Sequence, residues 1–354
     1  MPERMRGVLA ACLLATACSS SDRSSENASA DSAASPPAGG HVFVSNEGSG
    51  TITILDPQTN SAVATIPVGT RPRGIRVSAD GRTVYVALTG SPRCPPTMPD
   101  EECDRMVADK TKDGIGVVDV ASRRLLRVLP GGSDPETFDV SRDGSRIFVS
   151  NEDVDSATIV DVASGRILHA VPVGREPEGV RLHPEGREVW VTGETDHDIT
   201  VLEADSGRTI ARIPVGRRPR DLAFTLDGNL AYVTAEVGGT IAVVDARGHR
   251  VLRTITLPEG ARPMGIVLSP DGSRVYVANG RGGTVSAIDA RTDSILGSVE
   301  VGERPWGVGI TADGRKLYTA NGPSGDVTVV DAATLTVVER IPTGELPWGI
   351  AVRR

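Results

Sequence analysis

The chain carries little of what nucleophilic or haem chemistry needs: five His and four Cys in 354 residues. No cysteine opens a c-type attachment motif ending in His, so covalent haem is excluded. Of the histidines, His41 opens the globular part, His169 sits in an outer strand, and His183 and His249 sit in turns. Only His197 falls in a loop where chemistry is expected. No Ser or Cys nucleophile is set beside it, which gives catalysis little support. A cationic surplus is missing too: 38 Lys and Arg against 46 Asp and Glu leave a net charge of −8. That balance argues against nucleic acid, single strands included. No apolar run in the leader, Gly7 to Ala17 at its longest, is long enough to span a bilayer.

What the chain does have is a repeat. A proline followed two positions on by Gly, or by a residue in its place, recurs as Pro72/Gly74, Pro135/Thr137, Pro177/Gly179, Pro219/Asp221, Pro263/Gly265, Pro305/Gly307 and Pro347/Gly349. The proline spacings are 63, 42, 42, 44, 42 and 42, and the first equals one repeat plus a 21-residue insertion. Within each period apolar residues alternate in short runs separated by turn residues, the signature of strands. Asp-Gly marks the turn after the first strand in five repeats (Asp80, Asp143, Asp227, Asp271, Asp313) and Glu185-Gly186 in a sixth. The second strand carries one aromatic per repeat: Phe43, Tyr85, Phe148, Trp190, Tyr232, Tyr276 and Tyr318. The third ends in an acid, from Asp56 to Asp331. A period near 42 built of four short strands predicts an all-β fold, a seven-bladed β-propeller of four-stranded antiparallel blades over residues 41–354. The globular part starts in a second strand and stops just after a first strand. The C-terminal strand is therefore expected to join the N-terminal three and close the ring.

The strands Val84-Tyr-Val-Ala, Val189-Trp-Val-Thr, Ala231-Tyr-Val-Thr-Ala and Val275-Tyr-Val-Ala-Asn, with the Val-Gly-x-x-Pro-x-Gly phrase, resemble the YVTN family of β-propeller repeats over residues 41–354. The Gly-His and Trp-Asp signatures of WD repeats are missing. The resemblance implies a cell-envelope protein related to lactonase-like and haem-d nitrite-reductase-like propellers. It implies no particular chemistry, because such folds host many functions.

Arg4 and Arg6, the apolar stretch after them and the small residues leading to Cys18 read as a lipoprotein signal peptide over residues 1–17. Cys18 is the lipid site in this reading; an ordinary secretory signal, or cleavage at Cys12, is the alternative. Ser19 after the cysteine favours, by resemblance to Gram-negative lipoproteins, the outer membrane, facing the periplasm or the cell surface. Residues 18–40, rich in Ser, Ala, Pro and Gly, form a disordered tether. The remaining cysteines, Cys94 and Cys103, both lie in the inserted loop of residues 89–113. In an exported chain such a pair favours a disulfide, with a metal pair as the alternative.

Two places are candidates for function. Thirteen acids have structural duties in turns and at strand ends, but others recur on the face that carries the proline linkers: Glu47, Glu152, Glu194 and Glu236 at matched positions, joined by Asp153, Asp155, Asp196 and Asp198. This predicts a strongly acidic sector, either a solvated loop surface or a site for a divalent cation or a basic partner, with Glu152, Glu194, Asp196 and Asp198 as candidate ligands. No other cofactor is expected. The second place is the axial channel. One parity of the first strands is always apolar and is expected to pack between blades; the other puts Arg76, Asp139, Arg181 and Asp221 on the axis, paired across neighbouring blades, opposite small residues. At the linker mouth Trp306 and Trp348 occupy matched positions with Met264 beside them, facing Arg73, Glu136, Glu178 and Arg220. An apolar wall facing a charged one suits a small ligand, unless the tryptophans merely cap the core.

The expectation is thus a monomeric, lipid-anchored propeller that binds a small ligand or an envelope protein at its proline-linker face without catalysis. The alternatives are a lactonase-like hydrolase or an accessory to quinone-linked periplasmic oxidation, and, further off, a binder of single-stranded nucleic acid.

Overall fold

The computed structural model describes residues 40–93, 98, 100–103 and 105–353. The signal peptide, Cys18, the tether up to residue 39 and Cys94, with its pairing to Cys103, lie outside the described residues. Seven four-stranded antiparallel sheets follow one another. Blades two to seven are continuous in sequence, their inner strands running from Ile75–Val77, Pro135–Val140, Pro177–Leu182, Pro219–Phe224, Pro263–Leu268 and Pro305–Ile310 outward. Blade one is composite. Its inner strand is the C-terminal Pro347–Val352, which pairs with Val42–Asn46 through Val42↔Val352 and Val44↔Ile350. The ring therefore closes as the repeat predicts.

The repeat residues each have a mechanical duty. The Gly of every Asp-Gly or Glu-Gly turn sits at positive φ, 69° to 77°, where other residues are strained. The Asp carboxylate beside it accepts the backbone N–H two residues on, as in Arg82 N to Asp80 Oδ1 at 3.0 Å. In Asp143, further bonds from the Ser141 and Ser145 hydroxyls, with the Ser145 N–H, hold the carboxyl down at about 2. Second-strand aromatics cross the blade boundary. Tyr232 and Tyr276 donate their hydroxyls to Ala290 O and Ala332 O in the next blade, both at 2.9 Å. Seven apolar clusters result, one at each boundary, each combining the aromatic of one blade with aliphatics of the next. Every third-to-outer strand pair carries a bulge, which adds twist to the blade rim.

The strand-end polar residues also have assignable roles. Ser45, Ser150, Thr192 and Thr234 approach the carbonyl after the next linker proline; Ser45 Oγ to Arg73 O and Thr234 Oγ1 to Met264 O measure 2.5 and 2.7 Å. One position later, Asn46, Asn151, Asn279 and Asn321 donate their side-chain amides to hydroxyls on the third strand, clamping the hairpin.

Candidate functional site

The geometry of the linker face is set by an unusual backbone. All seven residues preceding the linker prolines, Arg71, Asp134, Glu176, Arg218, Arg262, Arg304 and Leu346, adopt left-handed φ of 43° to 59°. This conformation is costly for a residue with a Cβ. It aims the pre-proline carbonyl at the backbone N–H just past the second strand, as in Glu152 N to Asp134 O and Glu194 N to Glu176 O, both 3.1 Å. Where blade two carries its insertion, Thr70 O takes that role instead.

The same linkers carry arginines on either side of the proline, and these pair with acids of the expected acidic sector. Glu47, 5% exposed, pairs with Arg71 at 2.7 Å and Arg73 at 3.1 Å. Arg73 also meets Glu136 and reaches Glu152 at 3.5 Å. Arg218 contacts Glu194 at 2.6 Å and Glu236 at 3.5 Å, while Arg220 meets Glu178 at 2.6 Å and Glu194. Four arginines thus pair with six glutamates across this face. Burial works to raise the Glu47 carboxyl, but Arg73 and Arg71 outweigh it and hold it low. For Glu178 burial prevails over Arg220, and its carboxyl is raised. Asp196 and Asp198 are occupied too, by Arg175 at 2.7 Å and Arg212 at 3.2 Å. Glu152, Glu194, Asp196 and Asp198 do not converge, and among the described residues no three His, Cys, Asp or Glu are grouped to hold a metal. The insertion docks on this face: Asp113 accepts from Gly90 N and Asp134 N, and Arg71 donates to Ser91 O and Pro92 O.

The channel pairs form as parity predicts. Arg181 Nη2 lies 2.8 Å from Asp221, and Arg76 Nε lies 3.7 Å from Asp139. Burial raises Asp139 and pushes Asp221 up to about 7, the Arg76 charge opposing both. The glycines of that parity differ from expectation. Rather than facing open space, Gly179, Gly265 and Gly307 lie so close to the next inner strand that a Cβ would come within 2.5 to 2.7 Å of the carbonyls of Arg220, Trp306 and Trp348. Inner strands touch backbone to backbone there and narrow the channel to a neck.

On the linker side of that neck the opening is only about 70 Å³. It brings together Trp306, Trp348, Met264, Glu178, Arg220, Arg76, Arg181 and Asp221. Arg73 and Glu136 stand outside it, consumed by their ion pairs, and Asp139 faces the other way. Met264 is buried, packed where a Cβ on Gly280 would touch its Cγ; the two tryptophans are half-buried. Trp306 lies over Gly322, with the Arg304 guanidinium 5.6 Å from its ring. The larger space is on the hairpin side, a vestibule of about 580 Å³ with Arg76, Asp139 and Arg181 at its floor. The second positions of the apolar parity, among them Val77, Val140, Leu182 and Val352, line this vestibule instead of being wholly enclosed between blades.

Two family models match parts of the chain: the cytochrome D1 heme domain over residues 226–350 and the YNCE-like beta-propeller over residues 100–187. No curated protein matches the sequence. Among solved structures, a functionally unknown protein from Desulfotomaculum acetoxidans superposes with a TM-score of 0.73 at 17% identity, covering 88% of this chain and 98% of its own. A Bacteroides fragilis protein provisionally described as a 6-phosphogluconolactonase gives 0.70 at 18%, covering 89% and 98%. Kuenenia stuttgartiensis hydrazine synthase gives 0.68 at 18%, covering 79% and 89%. These likenesses bear on the fold. The residues present do not fit a haem: the linker-side opening beside Met264 is too small for a macrocycle, and in the vestibule both His183 nitrogens are taken, Nε2 by Gly228 O at 2.8 Å and Nδ1 by Glu185 N at 3.2 Å.

Proposed function

We propose that the linker face is a non-catalytic docking surface for another envelope protein, presented by a propeller anchored through a lipid on Cys18. The observation that carries this reading is the pair of half-exposed tryptophans, Trp306 and Trp348, at matched positions of blades seven and one beside an opening of about 70 Å³. So small an opening favours a protein partner over the small ligand expected from sequence. Tryptophan is among the residue types that dominate protein interfaces, and Trp306 is backed by Gly322 and the Arg304 guanidinium. The charged rim is already satisfied internally, so it contributes orientation more than affinity. The channel carboxylates are taken up, Asp221 by Arg181 at 2.8 Å and Asp139 by the N–H groups of Val140 and Leu182, which speaks against the hydrolase reading.

A photo-crosslinking residue placed at Glu303 or Glu345, both exposed beside the tryptophans, tests this in the intact envelope. A discrete adduct is expected that is lost in Trp306→Ala and Trp348→Ala, each weakening binding by about 1 to 3 kcal/mol while melting temperature stays nearly unchanged. No discrete adduct, or large stability losses with an unchanged adduct, would make the tryptophans core residues and end the reading. For the anchor, Cys18→Ser should release the protein from the membrane fraction and Cys12→Ser should not; lipid labelling that survives loss of Cys18 would refute it.

A further inference from the structure

The hairpin-side vestibule is larger than the linker-side opening, with which it shares Arg76, Arg181, Val308 and Ile350, and its lining is divided. One half of its floor is charged, formed by Arg76, Asp139 and Arg181, with Arg142 exposed at the rim. The other half is aliphatic, formed by Val267, Val308, Ile310, Ile350 and Val352 from blades six, seven and one. The cations keep unused capacity. Arg76 makes one hydrogen bond, Nη1 to Ile75 O at 2.8 Å, and its 3.7 Å approach to Asp139 is too long to be another. The Asp139 oxygens accept instead from backbone, Val140 N at 2.9 Å and Leu182 N at 2.8 Å. A guanidinium carries five N–H donors, so most of those on Arg76 are left for a guest. At about 580 Å³ the space is in the range of small-molecule sites, where a few directed polar groups face an apolar wall.

We infer that this vestibule binds a small amphipathic organic carboxylate, its anionic end held by Arg76 and Arg181 and its apolar body laid against Ile310, Ile350 and Val352. The hairpin side is the wider of the two, about 580 Å³ against about 70 Å³, so the ligand enters and leaves by the hairpin face. Arg142 at the rim attracts the anion, and the Phe224 and His183 rings, 5.0 Å apart and edge to face, stiffen the wall on that side. Preference for an acid over its uncharged isostere follows from the floor, and preference for an apolar body follows from the aliphatic half.

Calorimetric titration of the full chain with 2-naphthoate and with 2-naphthylmethanol tests the assignment. The acid should bind saturably and about tenfold or more tighter than the alcohol, the ratio expected for charge-assisted hydrogen bonds. Arg76→Gln should erase that difference, and Ala223→Leu, which fills the floor, should weaken both compounds. If Arg76→Gln does not fold, Arg142→Gln on the exposed rim serves instead, with a loss of about threefold for the acid alone that added salt mimics. Trp348→Ala should change neither, which separates this site from the linker face. No saturable binding of the acid, equal binding of acid and alcohol, or binding indifferent to Ala223→Leu would overturn the inference.

Discussion

Arg73 and Arg220 each serve two buried glutamates and, among the described residues, are the one ion-pair partner of Glu136 and of Glu178 respectively, so removing either strands a buried carboxylate. Arg220→Met is expected to cost about 3 to 5 kcal/mol in chemical denaturation, the range for breaking a buried pair from one side. Asp221 acts in the opposite direction. Its folded-state value is about 7 against 3.8 for the free group, so between those values the native protein holds a proton that the unfolded chain has released. Its contribution therefore falls as pH rises from about 4 to about 7. Asp221→Asn should lie progressively higher in stability relative to the parent across that window; a parallel pair of stability curves would count against it. Period-two alternation makes Arg76, Asp139, Arg181 and Asp221 legible in the sequence alone. The partners of Glu47, Glu152, Glu194 and Glu236 were not legible, because Arg71, Arg73, Arg218 and Arg220 lie in the linkers some 20 residues away or further. Nothing in local sequence says which way a linker arginine points.

The linkers are the most demanding elements of the blade. Strands, hairpins and closing acids could be read from Asp-Gly and the alternation, since each depends on neighbours in the chain. The left-handed residue before each proline could not. Positive φ is ordinarily announced by Gly or Asn, and these positions hold Arg, Asp, Glu and Leu. Six of them are held there by the carbonyl's bond to the next loop, and Arg71 and Arg218 by ion pairs. Arg262 has the same backbone at φ 54°, and no salt bridge is found for it among the described residues. Arg262→Gly should accordingly raise stability by about 1 kcal/mol, the conformational cost relieved. Arg71→Gly should lower it despite the same relief, because the bonds to Glu47, Ser91 and Pro92 go with the side chain. Thermal melts of the two variants together decide it: a fall in both would mean that the backbone is unstrained.

For the whole molecule, closure is the decisive feature. Deleting Trp348 to Arg354 takes away the inner strand of blade one and exposes edges on Val42–Asn46 and on the inner strands at either side. The truncated protein should aggregate or lose cooperative unfolding, and an unchanged melting temperature would show that the ring stands without its last strand. The ring and its direction of closure were legible, since repeat number and the offset between the chain's two ends fix both. The unequal chambers were not, because the neck depends on how closely inner strands approach, a distance that three-dimensional packing sets. Closure also imposes an order in time. Ser45 accepts the N–H of Gly349, 304 residues later. At about 5 to 20 residues per second the first three strands wait on the order of 15 to 60 s after emerging before their partner exists. Through that interval the oldest part of the chain is also the least finished, and whatever keeps its open edge from pairing wrongly has to act longest on the residues made first.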